Sequence, residues 1–130
     1  MWADDPASPA LGMTLEQVGP GMARMAMEVR ADMVNGHGMC HGGFIFTLAD
    51  SAFAFACNTY NERTVAQHCA ISFLRPAQSG MRLVATAIER SRAGRSGIYD
   101  ITVAAPDGRI IAEFRGNSRG LGTKFFEDPA

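Results

Sequence analysis

Residues 42–59, GGFIFTLADSAFAFACNT, decide the fold of this chain. Asp50 is their one charged residue, and apolar side chains fall on nearly every face of a helix built from them. A helix that is apolar all round is either buried on all sides or lies in a membrane. Because the stretch is too short to span a bilayer and contains Asp50, it predicts one long buried helix at about Gly42–Thr59.

The segments around this helix have the patterns of β-strands. Residues 22–29 alternate with period two, and the glycine-containing stretch 34–38 then excludes regular structure. Adjacent strands on short turns imply an antiparallel sheet, and the helix must be wrapped by that sheet because nothing else could cover it. The predicted class is therefore α+β, a curved antiparallel sheet around one central helix. The remaining strands are predicted at 65–74, 82–90, 98–104 and 109–116, with turns at 92–97 and 106–108.

Length and composition indicate one globular domain over residues 1–130. Its core is expected at about 20–120, with 1–12 as a peripheral short helix or loop and 121–130 as a loose tail. The chain is 47% hydrophobic and 19% charged, and its net charge of -1 gives no basic field to recruit nucleic acid. The acidic, proline-broken start does not have the pattern of a signal peptide, and no stretch is long enough for a membrane span. Three cysteines without C-x-x-C spacing favour a reducing cytoplasm over a disulfide framework.

The segment that leads into the helix, residues 35–44, is the first candidate for chemistry. Paired glycines at Gly42 and Gly43 let a ligand approach the backbone closely. The first amides of a helix have no internal partner and lie at the positive end of its dipole, which suits a carbonyl oxygen that gains negative charge. The alternative is an ordinary helix entry where glycine only permits a tight turn.

Asp50 is the most informative residue. An aspartate inside a Phe/Ala-rich buried helix is a poor helix former and costs free energy to bury. It is either a structural acid that meets a backbone donor or an arginine such as Arg75, or a catalytic base or nucleophile whose pKa burial raises. The pattern alone leaves both open.

Other polar residues give weaker signals. His37 and His41 lie four residues apart, with His68 and Cys69 later, but zinc needs three or four converging ligands and the glycines between them argue against a metal site. Cys40 beside His41 suggests a nucleophile–base pair, although sequence neighbours usually point apart. Several arginines are predicted near strand ends, as a solvated rim or as a group that binds the phosphates of an acyl carrier such as coenzyme A. They are Arg75, Arg92, Arg95, Arg115 and Arg119.

The block Asn35-Gly36-His37-x-x-Cys40-His41-Gly42-Gly43, followed by Leu48-Ala49-Asp50-Ser51-Ala52-Phe53-Ala54, resembles the PaaI-type thioesterases of phenylacetic acid degradation. The resemblance covers roughly residues 20–120 and continues through three shorter pieces. These are Phe73-Leu74-Arg75-Pro76, Gly97-Ile98-Tyr99-Asp100-Ile101 and Phe114-Arg115-Gly116.

This resemblance implies a hotdog fold and a catalytic site. By position, Asp50 matches the family's catalytic carboxylate, Gly42 the glycine whose amide polarises the thioester carbonyl, and Asn35 the asparagine that places the substrate carbonyl or water. Ala54 stands where a related branch has an assisting threonine. The resemblance also implies hydrolysis of acyl-CoA thioesters such as hydroxylated phenylacetyl-CoA, without a metal or redox cofactor, by dimers that pair into tetramers.

The expected reaction is acyl transfer to water, with Asp50 activating water or attacking the carbonyl itself. His41, Gly43 and Phe44 are expected to contact the substrate, with the amides of Gly42 and Gly43 polarising the thioester carbonyl and His41 fixing the loop, while Arg75 and Arg95 meet CoA phosphates. An apolar acyl pocket is expected from Phe44, Phe46, Leu48 and Phe53. The alternatives are a hotdog enoyl-CoA hydratase, with His41 near a carboxylate, and a non-catalytic acyl-CoA-binding module.

Helix geometry predicts that two chains share each site. Asp50 follows Gly42 and Gly43 by seven to eight residues, which is roughly 11 Å along a helix axis. A base or nucleophile must come within about 3–3.5 Å of its target, so one helix cannot place both groups on one carbonyl. Two antiparallel helices related by a two-fold axis can.

Overall fold

The long apolar stretch forms one helix, as its pattern predicts. In this computed structural model, which describes residues 2–127, helix α1 is short (Ala7–Ala10) and helix α2 runs over Gly42–Cys57. Helix α2 ends two residues before the predicted Thr59, where the side-chain amide of Asn58 donates to the carbonyl of Ala54 at 2.7 Å. This bond satisfies a last-turn carbonyl that has no partner within the helix. No helix within residues 2–127 has both the length and the apolar character needed to cross a membrane.

Six strands in the described part of the chain form one sheet around this helix, with every neighbouring pair antiparallel. Their order is β1-β2-β4-β5-β6-β3, which confirms the curved antiparallel sheet. The strands are β1 Thr14–Gly19, β2 Met22–Glu28, β3 Thr64–Phe73, β4 Arg82–Ala93, β5 Ser96–Ala104 and β6 Ile110–Gly120. Two short 3-10 helices lie at Trp2–Asp4 and Ala31–Met33.

Strand β1 is the element that the sequence pattern does not predict. Four of its six residues are exposed, and a register shift between Leu15 and Gln17 breaks the alternation on which strand prediction depends. The turn into β2 is held by Gly21, whose φ of 68° lies in the left-handed region and whose amide donates to Thr59 Oγ1 at 2.8 Å. The sheet therefore has one strand more than expected.

Strand order also differs from chain order. β3 precedes β4 along the chain but pairs with β6, so that β3 forms one free edge of the sheet and β1 the other. The edge residues Val65 and Phe73 are 47% and 52% exposed, and Leu74 directly after the strand is 56% exposed. A long edge strand that exposes apolar side chains is a surface prepared for pairing with another chain.

Helix α2 packs tightly on the concave face of the sheet. The ring of Phe53 lies 5.6 Å from that of Tyr99 and 6.0 Å from that of Phe114, measured between centroids. A Cβ at Gly116 would lie 2.6 Å from the Phe53 ring, so glycine there permits the close approach of helix and sheet. These contacts fix the rotation of the helix and hence the direction in which Asp50 points.

Residues near both ends of the described range pack against this unit. Trp2 lies 5.6 Å from the ring of Phe55, and the hydroxyl groups of Ser8 and Ser51 are 3.0 Å apart. Residues 121–126 are not the loose tail that the sequence suggests, because their backbone is hydrogen-bonded to residues 61–63. Residues 128–130 of the predicted tail lie outside the described residues.

Candidate active site

His41 caps the start of helix α2 with its own side chain. Its backbone is extended, with φ of -60° and ψ of 132°, and its Nδ1 accepts a hydrogen bond from the Gly43 amide at 2.9 Å. Because Nδ1 acts as the acceptor, the neutral ring carries its proton on Nε2. The expectation that His41 fixes this loop agrees with the geometry, but the expectation that the Gly43 amide polarises a carbonyl is wrong, since that amide is occupied.

The Gly42 amide is in a different situation from its neighbour. It has no hydrogen-bond partner among residues 2–127, as the first turn of a helix allows. The ring of Phe73 lies over Gly42, and a Cβ added there would be 2.9 Å from Phe73 Cζ. Glycine at this position therefore lets the Phe73 ring pack against the start of the helix, and of the two glycine amides only that of Gly42 is free within residues 2–127.

Asn35 holds the loop that precedes the helix. Its Oδ1 accepts from the backbone amides of His37 at 2.9 Å and Met39 at 3.3 Å. The backbone amide of Asn35 donates to the Met39 carbonyl at 2.7 Å. These bonds identify the oxygen of the side-chain amide. The Nδ2 group has no partner within residues 2–127. The side-chain oxygen of Asn35 therefore binds the loop, while the two N–H groups of its side-chain amide stay free.

Asn35 and Gly42 open into one cleft of about 340 Å³, together with Phe73 and Arg75. Arg75 donates from Nη1 to the carbonyl of Ile110 at 2.9 Å and retains its other guanidinium donors. The interpretation of Asp50 as a structural acid paired with Arg75 does not hold, because Arg75 is bound elsewhere. This cleft, which we call the donor cleft, combines two free amide donors with a cation.

Asp50 opens into a second cleft of about 400 Å³, the acid cleft, which Phe53, Ala54 and Val65 also line. The carboxylate is half-buried and forms no hydrogen bond or ion pair with the described residues. Burial raises the pKa of Asp50 above its ordinary value, since desolvation disfavours the charged form. An unpartnered carboxylate with a raised pKa in a cleft is a candidate base or nucleophile.

The four apolar residues predicted to line an acyl pocket do not all lie in a cleft. Phe53 lines the acid cleft, whereas Phe44, Phe46 and Leu48 line neither cleft. Leu48 is fully buried, Phe46 packs on Phe114 at 5.2 Å, and the Phe44 ring lies edge-on to that of His41 at 6.2 Å. The helix turns these three side chains into or along the core, so Phe44 is not placed to contact a ligand in either cleft.

The arginines do not act as one group. Arg115 donates to Asp100 at 2.6 and 2.8 Å, and with this neighbour the pKa of Asp100 falls to about 2. Arg92 lies 3.5 Å from the centre of the Tyr60 ring. Arg95, in the turn between β4 and β5, lies close to Gly122 and forms no ion pair within residues 2–127. Arg95 and Arg75 therefore keep donors for an anion, while Arg115 does not.

The weaker interpretations of the histidines and cysteines can also be placed. Cys40 Sγ lies 3.6 Å from the carbonyl oxygen of His41 while the imidazole binds the Gly43 amide, so no thiol–imidazole pair forms. Burial raises the pKa of the Cys40 thiol, which opposes a nucleophilic role. Among residues 2–127 no three His, Cys, Asp or Glu side chains are grouped as a metal site.

One contact residue was missed from the sequence. Phe73 lines the donor cleft and covers Gly42, whereas in the sequence it stands only as part of the piece Phe73-Leu74-Arg75-Pro76 of the resemblance, with no role attached. Its relation to Gly42 depends on how the edge strand crosses the start of the helix.

The chain is similar to known proteins along most of its length. The sequence profile of the Thioesterase superfamily matches residues 37–112. Acyl-coenzyme A thioesterase PaaI of Escherichia coli (strain K12) is 43% identical over 122 residues, which cover 94% of this chain and 87% of the relative. The structure of the E. coli PaaI protein, from the phenylacetic acid degradation operon, has a TM-score of 0.93 at 41% identity over 95% and 89% of the two chains. A variant of the phenylacetic acid degradation protein PaaI from Thermus thermophilus has a TM-score of 0.86 at 41% identity over 90% and 100%.

Proposed function

This chain belongs to the Thioesterase superfamily, and we propose that it hydrolyses acyl-CoA thioesters of the phenylacetyl or hydroxyphenylacetyl type, or related aryl and medium-chain thioesters, to the free acid and CoA. The acyl groups follow from the E. coli relative, whose structure is described as coming from the phenylacetic acid degradation operon. The observation that carries the proposal is the pairing of two free amide donors in one cleft with an unpartnered carboxylate in another.

The donor cleft supplies the electrophilic half of the reaction. The Gly42 N–H and the Asn35 Nδ2 group are preorganised donors, and they bind the thioester oxygen more strongly as it gains negative charge. The helix dipole adds to this field at Gly42. His41 acts indirectly, because its bond to the Gly43 amide holds the turn in which Gly42 points outward.

Asp50 supplies the other half. As a base, its carboxylate takes a proton from water while the water oxygen bonds to the carbonyl carbon. The tetrahedral oxyanion then collapses, the carbon–sulfur bond breaks, and CoA leaves as a thiolate that the released proton neutralises. As a nucleophile, Asp50 would form a mixed anhydride that water hydrolyses. Both routes need the ionised carboxylate, and thiolate is a good enough leaving group that neither needs a separate general acid.

The two clefts are brought together by pairing of the edge strand. Thr64, Val65 and Ala66 at the start of β3 line the acid cleft, while Phe73 at its end lines the donor cleft. If β3 pairs antiparallel with β3 of a second copy, the start of one strand lies beside the end of the other. Each two-fold dimer would then have two sites, with Asn35 and Gly42 from one chain and Asp50 from its partner.

The remaining residues complete the proposal. We include Arg75, which lines the donor cleft, and Arg95, whose guanidinium group lies close to Gly122, as the residues that bind the CoA phosphates. No metal or redox cofactor is included, since Gly42, Asn35 and Asp50 supply the groups that acyl transfer needs. The proposal also includes a cytoplasmic location, which the three free thiols and the CoA substrate favour, and dimers that pair into tetramers, as the resemblance implies.

The hydratase alternative needs a histidine close to a carboxylate. The Nδ1 of His41 is bound to Gly43, and Asp50 lies in the other cleft, so no observation favours it within one chain.

The experiment is a panel of acyl-CoAs with a thiol-reactive dye, run with and without a chelator. We expect CoA release that is fastest with aryl-acetyl groups and unaffected by the chelator. A change in enoyl absorbance without CoA release would indicate a hydratase. Binding without either would indicate an acyl-CoA-binding module.

A further inference from the structure

The acid cleft has an apolar interior beyond the carboxylate of Asp50. Phe53, Ala54 and Val65 form part of its wall. Asn58 lines it too, but its Nδ2 donates to the carbonyls of Ala54 and Thr64, and its Oδ1 accepts from the Thr64 amide. With that amide fully used, the cleft offers an acyl chain mainly contact with apolar side chains.

Part of the remaining wall of the acid cleft comes from the C-terminal segment. Leu121 and Phe125 line the cleft opposite helix α2, although they lie more than 60 residues away in the chain. The guanidinium group of Arg63 covers the Phe125 ring at 4.7 Å from its centre. Without this segment the cleft would be open to solvent on that side.

Residues 121–126, which we call the strap, are fastened by residues 61–63. The Asn61 side chain donates to the Phe126 carbonyl at 2.9 Å and accepts from the amides of Phe125 and Phe126 at 3.2 and 3.3 Å. Backbone bonds of 2.7 and 2.8 Å join Arg63 to Thr123 and Leu121. Asn61 has a φ of 54°, a left-handed conformation that glycine adopts freely and asparagine more readily than most residues.

We propose that the strap sets the size of the acyl group, with Leu121 and Phe125 as specificity-determining residues and Asn61 as a positioning residue. The inference rests on the proposed function, in which the carbonyl carbon lies beside Asp50 and the acyl group extends into the acid cleft. Two aromatic rings, Phe53 and Phe125, line a cleft of about 400 Å³ and suit a single flat ring. Because Leu121 and Phe125 narrow this cleft, we expect them to favour arylacetyl groups with one ring over fused-ring acyl groups.

The test compares phenylacetyl-CoA with 2-naphthylacetyl-CoA. We expect Phe125→Ala and Leu121→Ala to raise the naphthyl/phenyl ratio of kcat/KM about tenfold or more, since pocket volume is discriminated at this scale. Phe126→Ala is the matched control, because Phe126 is 66% exposed and does not line the cleft, and its ratio should equal that of wild type. If Phe125→Ala does not fold, Phe125→Leu gives a smaller change in the same direction.

The Asn61→Gly variant tests whether the strap must be held in place, separately from which side chains line the acid cleft. Glycine tolerates the φ of 54° but removes all three side-chain bonds to the strap. We expect Asn61→Gly to raise the naphthyl/phenyl ratio of kcat/KM although no lining residue is changed. The double variant with Phe125→Ala should have a ratio only a little higher than that of Asn61→Gly alone. If Asn61→Gly keeps the wild-type ratio, the positioning role is overturned.

A binding measurement keeps this inference separate from the proposed function. Ketone analogues of the two thioesters, with a methylene inserted before sulfur, bind without being hydrolysed, and their affinities are measured by calorimetry. If wild type releases no CoA from any thioester, the proposed function fails, while the ratio of affinities still tests the strap. Phe125→Ala and Leu121→Ala variants that keep the wild-type ratios of both kcat/KM and affinity would overturn the inference.

Discussion

The carboxylate of Asp50 and the amide of Gly42 belong to the same helix but open into separate clefts. Eight residues separate them, which is about 12 Å along the helix axis. Each group is free of hydrogen-bond partners within residues 2–127, so each is half of a site rather than a complete one.

The first prediction concerns Asp50→Asn. We expect a folded protein whose kcat on its best acyl-CoA falls by about 10²–10⁴-fold, the usual contribution of a positioned base. Asp32→Asn is the control, because Asp32 is an exposed carboxylate that pairs with Arg30 at the surface. Wild-type turnover in Asp50→Asn would make Asp50 a structural residue and remove the mechanism.

Subunit mixing tests the shared site. Gly42→Val places a branched side chain against Phe73 and blocks the donor cleft, so Gly42→Val and Asp50→Asn chains should each be inactive alone. Unfolded and refolded together in equal amounts, they should regain about a quarter of wild-type activity, because half of the dimers are mixed and each has one intact site. Well-mixed, folded heterodimers that stay inactive would show that Asp50 acts within its own chain.

The pH profile should report Asp50. The reaction needs the carboxylate, and burial raises the pKa of this group, so kcat/KM should fall with decreasing pH at a pH above the ordinary aspartate value of about 3.9. Initial-rate assays at a series of pH values measure the pH dependence of kcat/KM for the wild-type protein. A profile that is flat down to the ordinary aspartate range would contradict a buried base.

The charge of Asp50 should affect folding stability in the opposite sense to activity. Activity needs the ionised carboxylate, whereas ionisation should lower the unfolding free energy. A raised pKa means that the folded state binds the proton more tightly than the unfolded state, so ionisation of Asp50 destabilises the fold as pH rises. Relative to wild type, Asp50→Asn should therefore gain unfolding free energy between acid and neutral pH. Urea unfolding of both proteins at several pH values measures the difference, and a loss of stability at neutral pH would indicate an unrecognised partner for the carboxylate.

Asparagine should be able to replace His41 as the N-terminal cap of helix α2. His41→Ala removes the acceptor for the Gly43 amide and should cost about 1 kcal/mol of unfolding free energy, as other helix caps do. His41→Asn supplies a side-chain oxygen for the same amide and should recover most of that loss. If both variants are equally destabilised, the imidazole stabilises this region through contacts other than the cap.

Sequence pattern was sufficient for the elements that depend on local periodicity. Helix α2 and strands β2 to β6 were predicted within a few residues of their ends, since alternation and helical spacing are properties of neighbouring residues. β1 was missed because its exposed side chains and its bulge remove the alternation. The resemblance to PaaI-type thioesterases, confirmed by the comparisons, also came from contiguous motifs.

By itself, the sequence determined a buried helix with a glycine start, an aspartate within it, and strands to cover it. Only the tertiary structure decided that β3 lies at the edge, that the Gly43 amide is bound to His41 while the Gly42 amide is free, and that Phe44 lines neither cleft. It also decided that Phe125 reaches the acid cleft. The physical reason is that periodicity records which faces are apolar, whereas strand order, hydrogen-bond partners and cleft walls arise from contacts between residues far apart in the chain.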